Sequence, residues 1–140
     1  MAEAGFEQVE HTADLALRCW APDLRGLIEQ AARGLIALLV ADEPPSAERT
    51  VELRVEGASG EELLHDALRE VLLLVPLEGL APVSVRVDAA DEGTASLVVG
   101  VVPLGAATDL HLQEIKAVTY HGLEIARTER GLEAQVVLDV

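Results

Sequence analysis

DLRGLIEQAARGLIALL, residues 23–39, decides the first element of the fold. Leu24, Leu27, Ile28, Ala31, Ala32, Leu35, Ile36 and Leu39 return at helical spacing, with Glu29, Gln30 and Arg33 between them. Asp23 stands just before the run as its N-cap, where a short carboxylate can accept from the free N–H groups of the first turn. The pattern stops at ADEPPSAE, residues 41–48, where Pro44 and Pro45 mark a loop.

A second helix follows in SGEELLHDALREVLLLVP, residues 59–76. Ser59 with Glu62 three residues on reads as a capping box. Leu63, Leu64, Ala67, Leu68, Val71, Leu72 and Val75 make the apolar face, and Pro76 is expected to stop the helix. Glu61, Asp66, Arg69 and Glu70 keep the other side wet, and His65 falls with them as a surface residue.

The rest of the chain alternates or is rich in valine. VELRV at 51–55 and VSVRV at 83–87 have the period of two expected of half-buried strands. DAADEG at 88–93 reads as a turn into the apolar TASLVVGVV. LEIAR and LEAQVVLDV flank TERG as a hairpin with Gly131 in its turn. VEHTADLALRCWA is one interrupted strand or two short ones, and IKAVTYH is either a short strand or a turn of helix. Two amphipathic helices each need a face to cover. The expected architecture is therefore a single α+β domain over residues 1–140, two-layered, with one mixed, largely antiparallel sheet packed against the helices.

Half the residues are hydrophobic, yet Phe6, Trp20 and Tyr120 are the only aromatics, so the core must be aliphatic. Twenty-five acidic residues against ten basic ones leave a formal charge of −15. Such a surface repels phosphate backbones, and three aromatics cannot build a row of base-stacking platforms. Direct, tight nucleic-acid binding is not expected; cations or a basic protein partner are. No apolar run reaches the length of a bilayer span, and the acidic N-terminus is unlike a secretory leader. Cys19, the sole cysteine, lies in the strand-like LALRC as a small buried hydrophobe and excludes an intrachain disulfide. A cytoplasmic protein fits these features.

Three stretches break the pattern. HTAD, residues 11–14, puts polar groups into a strand; it is either a bulge or Asx-turn satisfying its own backbone, or a site. In VVLDV, residues 136–140, Asp139 projects from the face opposite Leu138 and Val140. Either the strand end is frayed and solvated there, or Asp139, its neighbouring carbonyls and the final carboxylate form an oxygen-rich site for a hard cation such as Ca²⁺ or Mg²⁺. IKAVTYHG, residues 115–122, sets Lys116 and His121 around an apolar run. His11, His111 and His121 lack the short spacing of a zinc site, and neither a GxSxG elbow nor a phosphate-binding glycine loop is present.

Taken together, HTADLAL, EIKAVTYHGLEI at 114–125 and the closing VVLDV resemble the archease family, and the helices AARGLIALL and EELLHDALREVLLLVPLEGL fit its arrangement. The resemblance implies a non-catalytic accessory factor that activates a GTP-dependent RNA ligase of tRNA splicing and repair, promoting its guanylylation and multiple turnover. It implies a divalent cation, most often Ca²⁺ with Mg²⁺ or Mn²⁺ as alternatives, held by Asp14 and Asp139 with the Val140 carbonyl or carboxylate as a third donor. Lys116 matches the family's functional lysine, and the ligase is the implied protein partner. His11 and His121 would orient ligands from behind, or serve as satisfied structural histidines. Two rivals from other classes remain: a metal-dependent phosphoesterase and a chaperone-like protein-binding module.

Overall fold

The computed structural model describes residues 4–10, 14–40, 43–91, 93–105 and 110–140. His11, one of the histidines singled out above, lies outside the described residues. In chain order the elements are β1 (Gly5–Glu10), β2 (Leu15–Ala21), α1 (Leu24–Leu39), β3 (Arg49–Glu56), α2 (Gly60–Glu78), β4 (Leu80–Asp91), β5 (Thr94–Pro103), β6 (Ala117–Val118), β7 (Ala126–Thr128) and β8 (Gly131–Asp139).

The fold is α+β and its described strand pairs are antiparallel. The strands divide into two sheets instead of the expected one. The first has the order β1-β2-β8-β6, with β7 also paired to β8; the second has the order β3-β5-β4. The first sheet is sewn from the two ends of the sequence and the second from its middle. VEHTADLALRCWA resolves into two strands, and IKAVTYH contributes the two-residue strand β6.

The division explains why α1 is wetter in sequence than in space. It packs on β2 of the first sheet and on β4 of the second, so Gln30, expected on a polar face, is buried. Glu29 is also occupied. Strand β4 is an edge, and the backbone of Val87 needs partners on the side away from β5. The carboxylate of Glu29 accepts the Val87 N–H at 2.9 Å, and Arg25 donates to the Val87 carbonyl at 3.0 Å.

Both helix starts follow the expected chemistry. Asp23 accepts from the Gly26 N–H at 2.8 Å, and the hydroxyl of Ser59 accepts from the Glu62 N–H at 3.1 Å. Glu62 reaches back to the N–H of Ala58 rather than that of Ser59. Pro76, however, does not end α2, which continues to Glu78. Pro76 lies only two residues before the end of α2, so the turn that it interrupts is the last one. The stop comes at Gly79, whose φ of 65° turns the chain left-handed while its N–H meets the carbonyls of Leu74 and Val75. The expected turn at 88–93 is shorter too, because β4 runs on to Asp91 through an irregularity between Val87 and Ala89.

An aliphatic core joins both helices to both sheets, with Leu17, Leu27, Ile28, Leu35, Leu64 and Leu138 among its fully buried members. Cys19 belongs to it. Burial, the largest influence, pushes its thiol up to about 12, and its Sγ donates to the Ala134 carbonyl, so it is the small hydrophobe expected. Among the described residues, no helix is long and apolar enough to cross a membrane.

Candidate metal and lysine site

Strand register brings the polar anomalies of the sequence to one end of the first sheet. Leu15 opens β2 and pairs with Leu138, near the close of β8. Asp14 precedes the one and Asp139 follows the other, so the two acids emerge side by side from adjacent antiparallel strands. On the other flank of β8, Asp139 pairs with Ala117. Lys116 lies one residue earlier and donates its backbone N–H to the Asp139 carbonyl at 2.7 Å. The end of β8 therefore carries Asp14 on one side and Lys116 on the other.

The hydrophobic pattern is what holds this register. Leu17, Cys19, Val136 and Leu138 belong to the main core, and a slip of either strand by one residue would turn its members to the other face of the sheet. Asp139 and Val140 are exposed where that pattern runs out, Asp14 is half-buried, and the Lys116 side chain is exposed.

Among the described residues, no group of three or more His, Cys, Asp or Glu side chains gathers as a metal-binding cluster. A cation here would need the two aspartates plus backbone carbonyls and water. That donor set, all oxygen, fits a hard ion such as Ca²⁺, which accepts carboxylates, carbonyls and waters in a flexible shell. It does not suit zinc, which favours nitrogen and sulfur. His111 is exposed, near the Leu112 bridge to Val40.

His121 follows β6 in the chain. Thr119 bonds back to Val137 through both its N–H and its hydroxyl, two residues short of Asp139. His121 lies in the turn beyond, where its N–H donates to the Thr119 hydroxyl and the Leu123 N–H closes onto the Tyr120 carbonyl. Gly122, with φ 63°, supplies the left-handed residue of that turn.

The histidine missed by sequence pattern is His65. Expected at the surface, it is 8% exposed. Its Nε2 lies 2.9 Å from the Val118 carbonyl and its Nδ1 lies 2.8 Å from the Asp66 carboxylate. The Tyr120 ring stacks on it at 3.8 Å, with its hydroxyl 3.5 Å from the same carboxylate. The Tyr120 phenol is pushed above its ordinary value by desolvation first and then by the negative charges of Asp66 and Glu62. Helical spacing put His65 among polar neighbours; only the return of residues 118–120 across α2 covers it.

Beside the lysine, Leu72, Leu73, Val75, Pro76, Leu112 and Ile115 line a groove of about 420 Å³ that Lys116 also borders. A larger cavity of about 690 Å³, between α1 and β4, is lined by none of the site residues.

Residues 6–140 match the model of the Archease protein family (MTH1598/TM1083). The chain belongs to the archease family. It is 32% identical over 138 residues to the protein archease of Methanopyrus kandleri, covering 96% of this chain and 99% of that one. A probable protein archease of Mycobacterium tuberculosis is 31% identical over 138 residues, 98% of this chain and 75% of the relative. Among solved structures, the archease fold described above matches the solution structure of Methanobacterium thermoautotrophicum protein 1598 with a TM-score of 0.71 at 28% identity, covering 97% and 99% of the two chains. It also matches the crystal structure of an archease from Thermotoga maritima, described as a possible chaperone. There the TM-score is 0.68 at 23% identity with 96% of each chain covered, which bears on the fold alone.

Proposed function

We propose that this protein is a non-catalytic accessory factor that activates a GTP-dependent RNA ligase of tRNA splicing and repair in the cytoplasm. It promotes guanylylation of the ligase and its repeated turnover. The observation that carries this reading is the meeting of Asp14, Asp139 and Lys116 at one sheet end from three distant parts of the sequence.

In this reading Asp14 and Asp139, with the Val140 carbonyl, hold Ca²⁺, or Mg²⁺ or Mn²⁺ in its stead. When bound, the cation supplies positive charge of the kind that steadies phosphate oxygens during nucleotidyl transfer. Lys116 presents an exposed, compact ammonium beside it, able to meet a phosphate or an acidic side chain of the ligase. The charge of −15 steers the protein toward a basic ligase surface and away from free RNA.

The test mixes the protein with the RNA ligase of the same source and follows guanylate attachment. Wild-type protein is expected to accelerate it, and Asp14→Ala, Asp139→Ala and Lys116→Ala to remove the acceleration while staying folded. Phosphoester hydrolysis without any ligase would install the phosphoesterase reading. Binding of unfolded clients indifferent to Asp139→Ala, with no ligase stimulation, would install the chaperone reading.

A further inference from the structure

Lys116 is the only lysine in the chain; the other nine basic residues are arginines. The element that carries it is slight. Strand β6 has two residues in its ladder and lies at the edge of its sheet, too short to hold itself by backbone pairing. Its inner side is tied to β8 through the N–H groups of Lys116 and Thr119. Among the described residues, its outer side faces no strand at Val118. There α2 stands in for one: His65 bonds the Val118 carbonyl, Tyr120 stacks on the imidazole, and Glu61 accepts the Ile125 N–H at 3.0 Å.

We infer that His65 is the positioning residue that holds Lys116 at the Asp139 end of the sheet, acting through the carbonyl of Val118. The inference rests on the reading in which Lys116 meets the ligase. A carbonyl has no hydrogen to give, so Nε2 is the donor in this bond. Removing that donor leaves a buried carbonyl unpaired two residues from Lys116, and the remaining two-residue ladder cannot keep the segment closed. Asp66 and Tyr120 set the plane of the imidazole from its other edge and its face.

Three full-chain variants test this. The side-chain amide of glutamine carries its N–H at the same number of bonds from Cα as histidine Nε2; that of asparagine matches Nδ1. His65→Gln therefore keeps a donor for Val118, His65→Asn keeps one only for Asp66, and His65→Ala keeps neither. Hydrogen exchange of the Lys116 amide, which is bonded to Asp139, is the first readout. Protection is expected to fall about tenfold in His65→Ala and His65→Asn, the effect of one buried hydrogen bond, and to stay near wild type in His65→Gln. Amides of α1 serve as the internal reference. The second readout is the single side-chain signal of ¹³C-labelled lysine during titration with Ca²⁺, whose response should be blunted in the same two variants. Equal protection in His65→Gln and His65→Asn overturns the inference even if His65→Ala fails to fold, as does wild-type protection in His65→Ala. With the ligase present, His65→Ala and His65→Asn should need more protein for half-maximal stimulation, and His65→Gln should not. If wild-type protein stimulates no ligase, the proposed function fails, while the exchange result still decides the role of His65.

Discussion

Lys116 and Asp139 are joined through their backbones: the amide of the first donates to the carbonyl of the second across 2.7 Å. The bond leaves the exposed Asp139 carboxylate and the exposed Lys116 ammonium to other partners. It also makes the location of the lysine depend on β8, the same strand that brings Asp139 beside Asp14. One strand end thus organises both the acid pair and the cation.

If that acid pair binds Ca²⁺, neutralising either member should weaken binding on the order of 100-fold, because even outer partners of metal ligands are worth 10–100-fold. Asp14→Asn and Asp139→Asn should both do so in calorimetric titration. Without metal, Asp139→Asn should be as stable as the parent or slightly more so, since neighbouring carboxylates repel. Unchanged Ca²⁺ affinity in both would remove the aspartates from the site.

Glu29 offers a second test, independent of any ligand. Glu29→Ala leaves the N–H of Val87 without its acceptor on a part-buried strand edge and should destabilise the fold by about 1–3 kcal/mol in urea unfolding. Glu29→Gln keeps an acceptor at the same reach and should recover most of that loss. Equal losses would mean that the charge pairing with Arg25, at 3.3 Å, matters more than the Val87 bond.

The ends of α2 can be tested separately. Ser59→Ala removes the hydroxyl that accepts the Glu62 N–H and should cost about 1 kcal/mol. Gly79→Ala meets open space but must adopt a φ of 65°, and should cost about 1 kcal/mol. If Gly79→Ala proved neutral while Ser59→Ala did not, the left-handed residue at Gly79 would contribute little to the stability of α2.

Cys19 gives the pH dependence. In the fold its thiol keeps its proton to about 12, whereas the unfolded chain releases it near 9.0. The folded state therefore holds the proton more tightly. Its contribution is fully present below pH 9 and is lost as pH rises toward 12, by up to about 1.4 kcal/mol per pH unit. Cys19→Ala should flatten that part of the alkaline stability profile. Native protein should also resist alkylation at pH 9, with full reaction only in denaturant.

Local patterning determined much of this protein. Helical spacing and caps drew α1 and α2, because those depend on residues three and four apart and on the first turn alone. Alternation drew β3, β4 and β8, while the last hairpin turns at Glu129 and Arg130, and Gly131, expected in that turn, opens β8 opposite Thr128. Composition set the aliphatic core. What tertiary structure alone decided is long-range. Two sheets formed instead of one, since pairing partners cannot be read from the period of a strand. Gln30 and His65 were buried, since a helix touched from two directions has no wet face there. Asp14, Asp139 and Lys116 each read as a local irregularity in their own segments. Antiparallel register between the two ends of the sequence is what sets them together, and it is enforced by the buried residues between them rather than by the polar groups themselves.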